Sequence, residues 1–156
     1  RSYPMEIAKL YPDVTVVGEA CPMWVPLVEN GEADSPGADY FVQKHIERLF
    51  NRDPQIDTVI LGCTHYPLLT DKIRRYLPEG VTLFSQGDRV ADRLKDYLTR
   101  HPEIERRLSR HAEVRFQTTD SPERFADMAS LFLRKDVGRA ERVALTSDTV
   151  TQRRIR

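Results

Sequence analysis

One junction constrains this chain more than any other. Asp57-Thr58-Val59-Ile60-Leu61 is an apolar, β-branched run with no charge after Asp57, and it ends at Gly62-Cys63-Thr64-His65. Such a run reads as a short buried strand. After Pro67, the residues Leu69, Ile73, Tyr76 and Leu77 recur at helical spacing, so Leu68 to Leu77 reads as a helix. Gly62 is expected to let the backbone turn between the two. A thiol, a hydroxyl and an imidazole therefore fall at the carboxyl end of a strand, where open α/β sheets bind ligands. The first amides of the following helix favour a thiolate or a substrate carboxylate.

Other segments repeat the strand–helix alternation. Pro4 to Tyr11 is expected to form a short helix, and Val14 to Gly18 a strand ending at Glu19-Ala20-Cys21-Pro22. Met23 to Glu29 is apolar but interrupted by Pro26, so it reads as a poor regular helix. Asn30 to Gly37 reads as a loop. Asp39 to Phe50 is an amphipathic helix ended by Asp53-Pro54. Pro78-Glu79-Gly80 is a turn and Val81 to Phe84 a strand. Ser85 to Asp88 turns into a helix carrying Val90, Leu94, Tyr97 and Leu98. Pro102 to Arg110 reads as a charged helix or helical linker, and Ala112 to Thr118 as a half-buried strand. Ser121 and Pro122 are a helix N-cap and first helical residue, continued by Phe125, Met128, Ala129 and Phe132. Glu141 to Leu145 is a last strand, and Thr146 to Arg156 a polar, basic, mobile tail. The alternation argues for an α/β fold with a mainly parallel sheet flanked by helices.

Composition narrows the function classes. The 156 residues suffice for a domain with a real core. Lys plus Arg equals Asp plus Glu, 24 each, so net charge gives no argument for nucleic acid. No apolar run reaches the length of a membrane span, and Arg1 to Glu6 holds no signal-peptide core. Arg1 in place of Met reads as a processed or truncated start. Two cysteines are too few for a disulfide framework and point to a reducing cytoplasm.

Cys63 reads as a nucleophile, a proton carrier, a metal ligand or a small buried apolar residue, and spacing alone leaves these open. Gly62 before it and Thr64-His65 after it weigh towards function, since an imidazole two residues on lowers a thiol pKa or hands on protons. A metal site is a weak reading, because Cys63, His65 and Cys21 are too few and no Cys-x-x-Cys occurs. Cys21 reads as structural. Glu29 is a surface carboxylate or an acid at a pocket edge, with spacing favouring the surface. Trp24 and Tyr66 read as core. His45, His101 and His111 lie on charged stretches and read as solvated.

Leu61 to Leu68 resembles the second cysteine motif of bacterial glutamate racemases, although related amino-acid racemases share Gly-Cys-Thr-His. Ala20-Cys21-Pro22-Met23-Trp24-Val25-Pro26-Leu27-Val28-Glu29 resembles the family's upstream segment, and Arg115 to Phe125 its C-terminal part. The resemblance implies a cofactor-independent racemase that interconverts L- and D-glutamate, supplying D-glutamate for peptidoglycan. Two cysteines there face opposite sides of the substrate Cα. One, as thiolate, removes the proton, and the other, as thiol, returns one to the opposite face. Cys63 matches the second of them. Thr64 matches a substrate-binding residue, His65 the group that assists the cysteine and contacts substrate, and Glu29 the family's acid. Cys21 matches no catalytic position. The family's Asp-Ser and Cys-Asn-Thr motifs are absent from this sequence.

The resemblance thus implies a C-terminal portion lacking the first catalytic cysteine, the second half of a two-domain racemase fold. Residues 1–85 would be most of the C-terminal domain, 86–145 a segment packing on the N-terminal domain, and 146–156 a tail. Without that domain, Val90, Leu94, Phe125 and Phe132 are expected to be exposed. The expected partner is glutamate, with no metal, cofactor, nucleic acid or membrane, and with self-association as a homodimer. The alternatives are a racemase for aspartate or another amino acid, and a non-catalytic remnant that binds a carboxylate ligand or a partner protein.

Overall fold

A computed structural model describes residues 2–110 and 113–145. The chain divides into two compact units, residues 1–91 and 92–156. It is α/β, with helices and parallel strand pairs. The expected tail, 146–156, as well as His111 and Ala112, lies outside the described residues.

The first unit begins with α1 (Ser2–Leu10), α2 (Trp24–Glu29) and α3 (Pro36–Arg52). Strand β1 (Thr58–Ile60) follows, then a 3₁₀ turn at Tyr66–Leu69, α4 (Thr70–Tyr76) and β2 (Thr82–Phe84). β1 and β2 pair in parallel, with Thr58 opposite Thr82, Val59 opposite Leu83 and Ile60 opposite Phe84. Parallel neighbours need a crossover of this kind, and the 3₁₀ turn with α4 supplies it. Gly80 sits at φ 83°, the left-handed conformation that the turn before β2 needs.

The core of this unit lies between α3, α4, α2 and β1. Val42 and Ile46 of α3, Val28 of α2, Val59 of β1, and Leu69 and Ile73 of the crossover are buried. Lys72, also buried, clamps α4 to the start of α3. Its ammonium donates to the carbonyls of Asp34 and Ser35, each at 3.2 Å, and to Asp39 Oδ2 at 2.6 Å. That bond holds the Asp39 carboxyl below the usual carboxylate range.

α5 (Gln86–Arg100) begins in the first unit and continues into the second. The second unit contains α6 (Pro102–Glu105), β3 (Gln117–Thr118), α7 (Pro122–Leu133) and β4 (Glu141–Arg142). β3 and β4 are parallel, joined through α7. Ser121 Oγ accepts from the Arg124 N–H, the expected N-cap.

Several expectations are corrected. Val14 to Gly18 forms no strand, because no ladder partner reaches it among the described residues, and Val14 and Val16 are exposed. Met23 to Glu29 contains a regular helix. Pro26 falls in its first turn, where the missing N–H would have had no helical partner. α3 begins inside the expected loop, at Pro36, with Ser35 Oγ capping the Ala38 N–H. Among the described residues of the expected Ala112–Thr118 strand only Gln117 and Thr118 pair, and Val114 is exposed. The last strand stops at Arg142. Val90 and Leu94 are exposed as expected, but Phe125 and Phe132 are half-buried. Phe125 faces the Phe116 ring at 6.1 Å.

Ile73→Ala should destabilise the first unit by about 2–5 kcal/mol, the cost of a cavity at a fully buried position. Val90→Gln, on an exposed face of the same unit, should change its stability by less than about 0.5 kcal/mol. Trp24, the sole tryptophan, lies in this unit, so urea unfolding followed by its fluorescence reads both. A smaller loss for Ile73→Ala than for Val90→Gln would contradict the core described.

Candidate active site

The parallel ladder places the chemistry. The Leu61 N–H donates to the Phe84 carbonyl at 3.0 Å, the last bond along β1, and the chain then leaves the sheet. Gly62 has no left-handed φ, and a Cβ there would meet the Tyr3 ring at 3.5 Å, an ordinary contact. The turn therefore does not demand a glycine as expected. It is closed by the Tyr66 N–H donating to the Cys63 carbonyl at 3.3 Å, with Leu68 N–H on the His65 carbonyl at 3.1 Å.

Three of the expected residues are brought together. Cys63 Sγ lies 3.7 Å from His65 Nδ1, and His65 Nε2 lies 3.2 Å from Glu29 Oε1. Beside a carboxylate, which only accepts, the ring favours its proton on Nε2, which leaves Nδ1 facing the thiol. The arrangement accommodates two states: a thiol donating to a neutral ring, or a thiolate beside an imidazolium held by Glu29. Glu29 is 54% exposed at the end of α2, so the surface expectation holds for its position although it is paired. Cys63 and Thr64 line a cavity of about 800 Å³ that is also bounded by Tyr3, Phe84 and Arg74. His65 and Glu29 stand outside its lining. Among the described residues, no three His, Cys, Asp or Glu side chains cluster as a metal site, and no helix is long and apolar enough to cross a membrane.

Cys21 behaves differently. It is 8% exposed, and burial followed by the Glu19 charge pushes its thiol up to about 12. It stays a neutral thiol at any physiological pH. His45 is corrected outright, being 5% exposed rather than solvated. Its Nδ1 meets Glu19 Oε1 at 2.7 Å, and Arg52 meets Glu19 Oε2 at 2.8 Å. The pair draws residues 18–19 onto α3, where Arg52 also donates to the Gly18 carbonyl. Spacing held the signal: His45 is three residues after Val42 and one before Ile46, on the buried face of α3. Lys72, between Leu69 and Ile73, was missed in the same way.

The two thiols should therefore separate chemically. Iodoacetamide at pH 8 should label Cys63, with Cys21 labelled only after unfolding, as read by peptide mass spectrometry. The linkage has a definite sign. The folded Cys21 thiol is raised from 9.0 to about 12, so its stabilising contribution is complete below pH 9 and is lost as pH rises towards 12. Cys21→Ala should flatten the loss of stability that begins near pH 9. Equal labelling of both native thiols, or an unchanged alkaline profile, would contradict this assignment.

No protein-family model matches the chain. It is 40% identical over 137 residues to a glutamate racemase of Roseobacter denitrificans, covering 88% of this chain and 49% of that protein. A glutamate racemase of Paracoccus denitrificans is 39% identical over the same share of the chain. Among solved structures, a glutamate racemase isoform from Bacillus anthracis superposes with a TM-score of 0.77 at 33% identity, over 92% of this chain and 52% of that one. The glutamate racemase of Francisella tularensis, solved with D-glutamate, gives a TM-score of 0.78 at 27% identity, over 93% and 53%. The chain spans about half the length of these relatives. It is similar to glutamate racemases over most of its own length and matches about half of such an enzyme, consistent with a C-terminal portion.

Proposed function

We propose that this chain supplies one of the two proton-transfer faces of a cofactor-independent glutamate racemase. The observation that carries the reading is the contact sequence from Cys63 through His65 to Glu29, within a chain homologous to glutamate racemases. Inversion at the substrate Cα needs a base on one face and an acid on the other. Cys63 is one carrier. As thiolate it takes the α-proton, and the electron pair left on Cα delocalises into the substrate α-carboxylate. A thiol on the opposite face then delivers a proton, which leaves the two carriers with exchanged protonation states. In the reverse direction Cys63 is the donor.

His65 exchanges the thiol proton and offsets the thiolate charge, and Glu29 orients the ring through Nε2. Thr64, beside Cys63 on the cavity wall, binds substrate. Cys21, buried and neutral, is no second carrier. That carrier comes from the half of the enzyme this chain does not span. Residues 1–85 form most of the catalytic domain in this reading, and residues 86–145 pack on the other half. Val90, Leu94 and Tyr97, exposed along α5, are the surface it covers. The enzyme works in the cytoplasm, supplies D-glutamate for peptidoglycan, and assembles as a homodimer.

The test is a chimera in which this chain replaces the matching half of the Roseobacter denitrificans racemase. Circular dichroism polarimetry on L- and D-glutamate reads turnover in both directions. The chimera should racemise glutamate. Cys63→Ala should lower turnover by about 10²–10⁴-fold, the usual weight of a positioned proton carrier. His65→Asn should act more in one direction than the other. The 156 residues alone should show no racemisation and should self-associate on sedimentation. A monomeric 156-residue polypeptide that racemises glutamate, or a Cys63→Ala chimera of normal turnover, would overturn the proposal.

A further inference from the structure

Residues 65 and 66 are neighbours, yet their side chains reach opposite ends of α2. His65 goes to Glu29 at the carboxyl end. Tyr66 goes to the other end, where its hydroxyl donates to the Cys21 carbonyl at 3.4 Å. The same carbonyl accepts the Trp24 N–H at 3.2 Å, the bond that opens α2. The Tyr66 ring also stands edge-on to Trp24, with centroids 4.8 Å apart and an interplanar angle of 68°. Trp24 is itself fixed: it is buried, and its indole N–H donates to the Phe41 carbonyl of α3 at 3.3 Å.

A six-residue helix such as α2 spans only about 8–9 Å. Two adjacent side chains on its two ends therefore fix the position and the rotation of the turn that carries them. His65 meets its partners at 3.7 and 3.2 Å, leaving little room for the turn to shift before one contact fails.

We propose that Tyr66 is a positioning residue: its grip on Trp24 and the Cys21 carbonyl holds the Cys63–His65 turn where His65 reaches both the thiol and Glu29. The inference rests on the reading of His65 as the proton relay to Cys63. Burial pushes the Tyr66 phenol up to about 12, so the hydroxyl remains a donor throughout the working pH range. Sequence spacing gave Tyr66 a place in the core; its side chain is half-buried, with the ring against buried Trp24, and the hydroxyl bond adds a second task.

The experiment uses the 156-residue chain and the rate of Cys63 alkylation by iodoacetamide from pH 6 to 10. This reads the nucleophilic thiolate without requiring racemisation. Tyr66→Phe keeps the ring against Trp24 and removes only the hydroxyl, and Trp24 fluorescence with thermal unfolding confirms that the variant is folded. Tyr66→Phe should slow alkylation at pH 7 at least about twofold, the low end of coupling between residues in contact. It should also displace the pH profile towards that of His65→Asn. In the His65→Asn background, Tyr66→Phe should have no further effect, whereas a role in packing alone would act equally in both backgrounds. A wild-type profile for Tyr66→Phe, or an equal effect in both backgrounds, overturns the positioning role and leaves the relay standing. A wild-type profile for His65→Asn overturns the relay and the positioning role together.

Discussion

The bond from the Leu61 N–H to the Phe84 carbonyl decides where the chemistry sits. It is the last rung of the β1–β2 ladder, and a parallel rung exists only if the chain between the strands crosses over the sheet. The crossover must bury an apolar face, which Leu69 and Ile73 do against α3. With the strand end and the helix face both fixed, the residues between them have few conformations left. Cys63, Thr64 and His65 fall in that interval. The thiol is thus delivered to the strand's carboxyl end by backbone geometry, before any interaction of its own.

α2 supplies what the ladder does not. It is too short to be stable by itself. It is held by Trp24 and Val28, which bury against α3 and the 3₁₀ turn. Its entry is set by residues 18–21. There the buried Glu19 carboxylate, hydrogen-bonded to His45 and paired with Arg52, stands in for the ladder that Val14 to Gly18 lacks. Such pairs cost desolvation and are worth little unless well bonded. Here both carboxylate oxygens are engaged, one by His45 and the other by Arg52. The outcome is a carboxylate, Glu29, at a fixed distance from the Cys63–His65 turn, and a second thiol, Cys21, too buried to ionise. Burial separates two chemically identical side chains into an accessible and an enclosed one.

Much of this was legible because it is local. β1 follows from a β-branched run, the α7 cap from Ser121-Pro122, and the Cys63–His65 contact from a spacing of two. The motif resemblance was specific enough to anticipate the homology and the shortfall in length. What was not legible depends on partners far away in sequence. Val14 to Gly18 has strand composition, but a strand exists only with a ladder partner, and composition does not name one. His45 carries a polar label on an apolar face, and its burial becomes acceptable only once Glu19 is known to lie against it. The Tyr66 hydroxyl bond spans 45 residues to a backbone carbonyl, a contact no side-chain pattern encodes. Phe125 and Phe132 were expected to be exposed for want of a host domain, but their own unit half-covers them.

The central claim is that His65 joins Cys63 to Glu29 through its two nitrogens. Long-range proton–nitrogen correlation spectra of the histidine-labelled chain test it directly, with His65→Asn identifying the signals. At a pH where the ring is neutral, the account predicts the Nε2–H tautomer for His65. It also predicts an Nδ1 shift that moves in Cys63→Ala and an Nε2 shift that moves in Glu29→Ala. An Nδ1–H tautomer, or His65 signals indifferent to both substitutions, would contradict it.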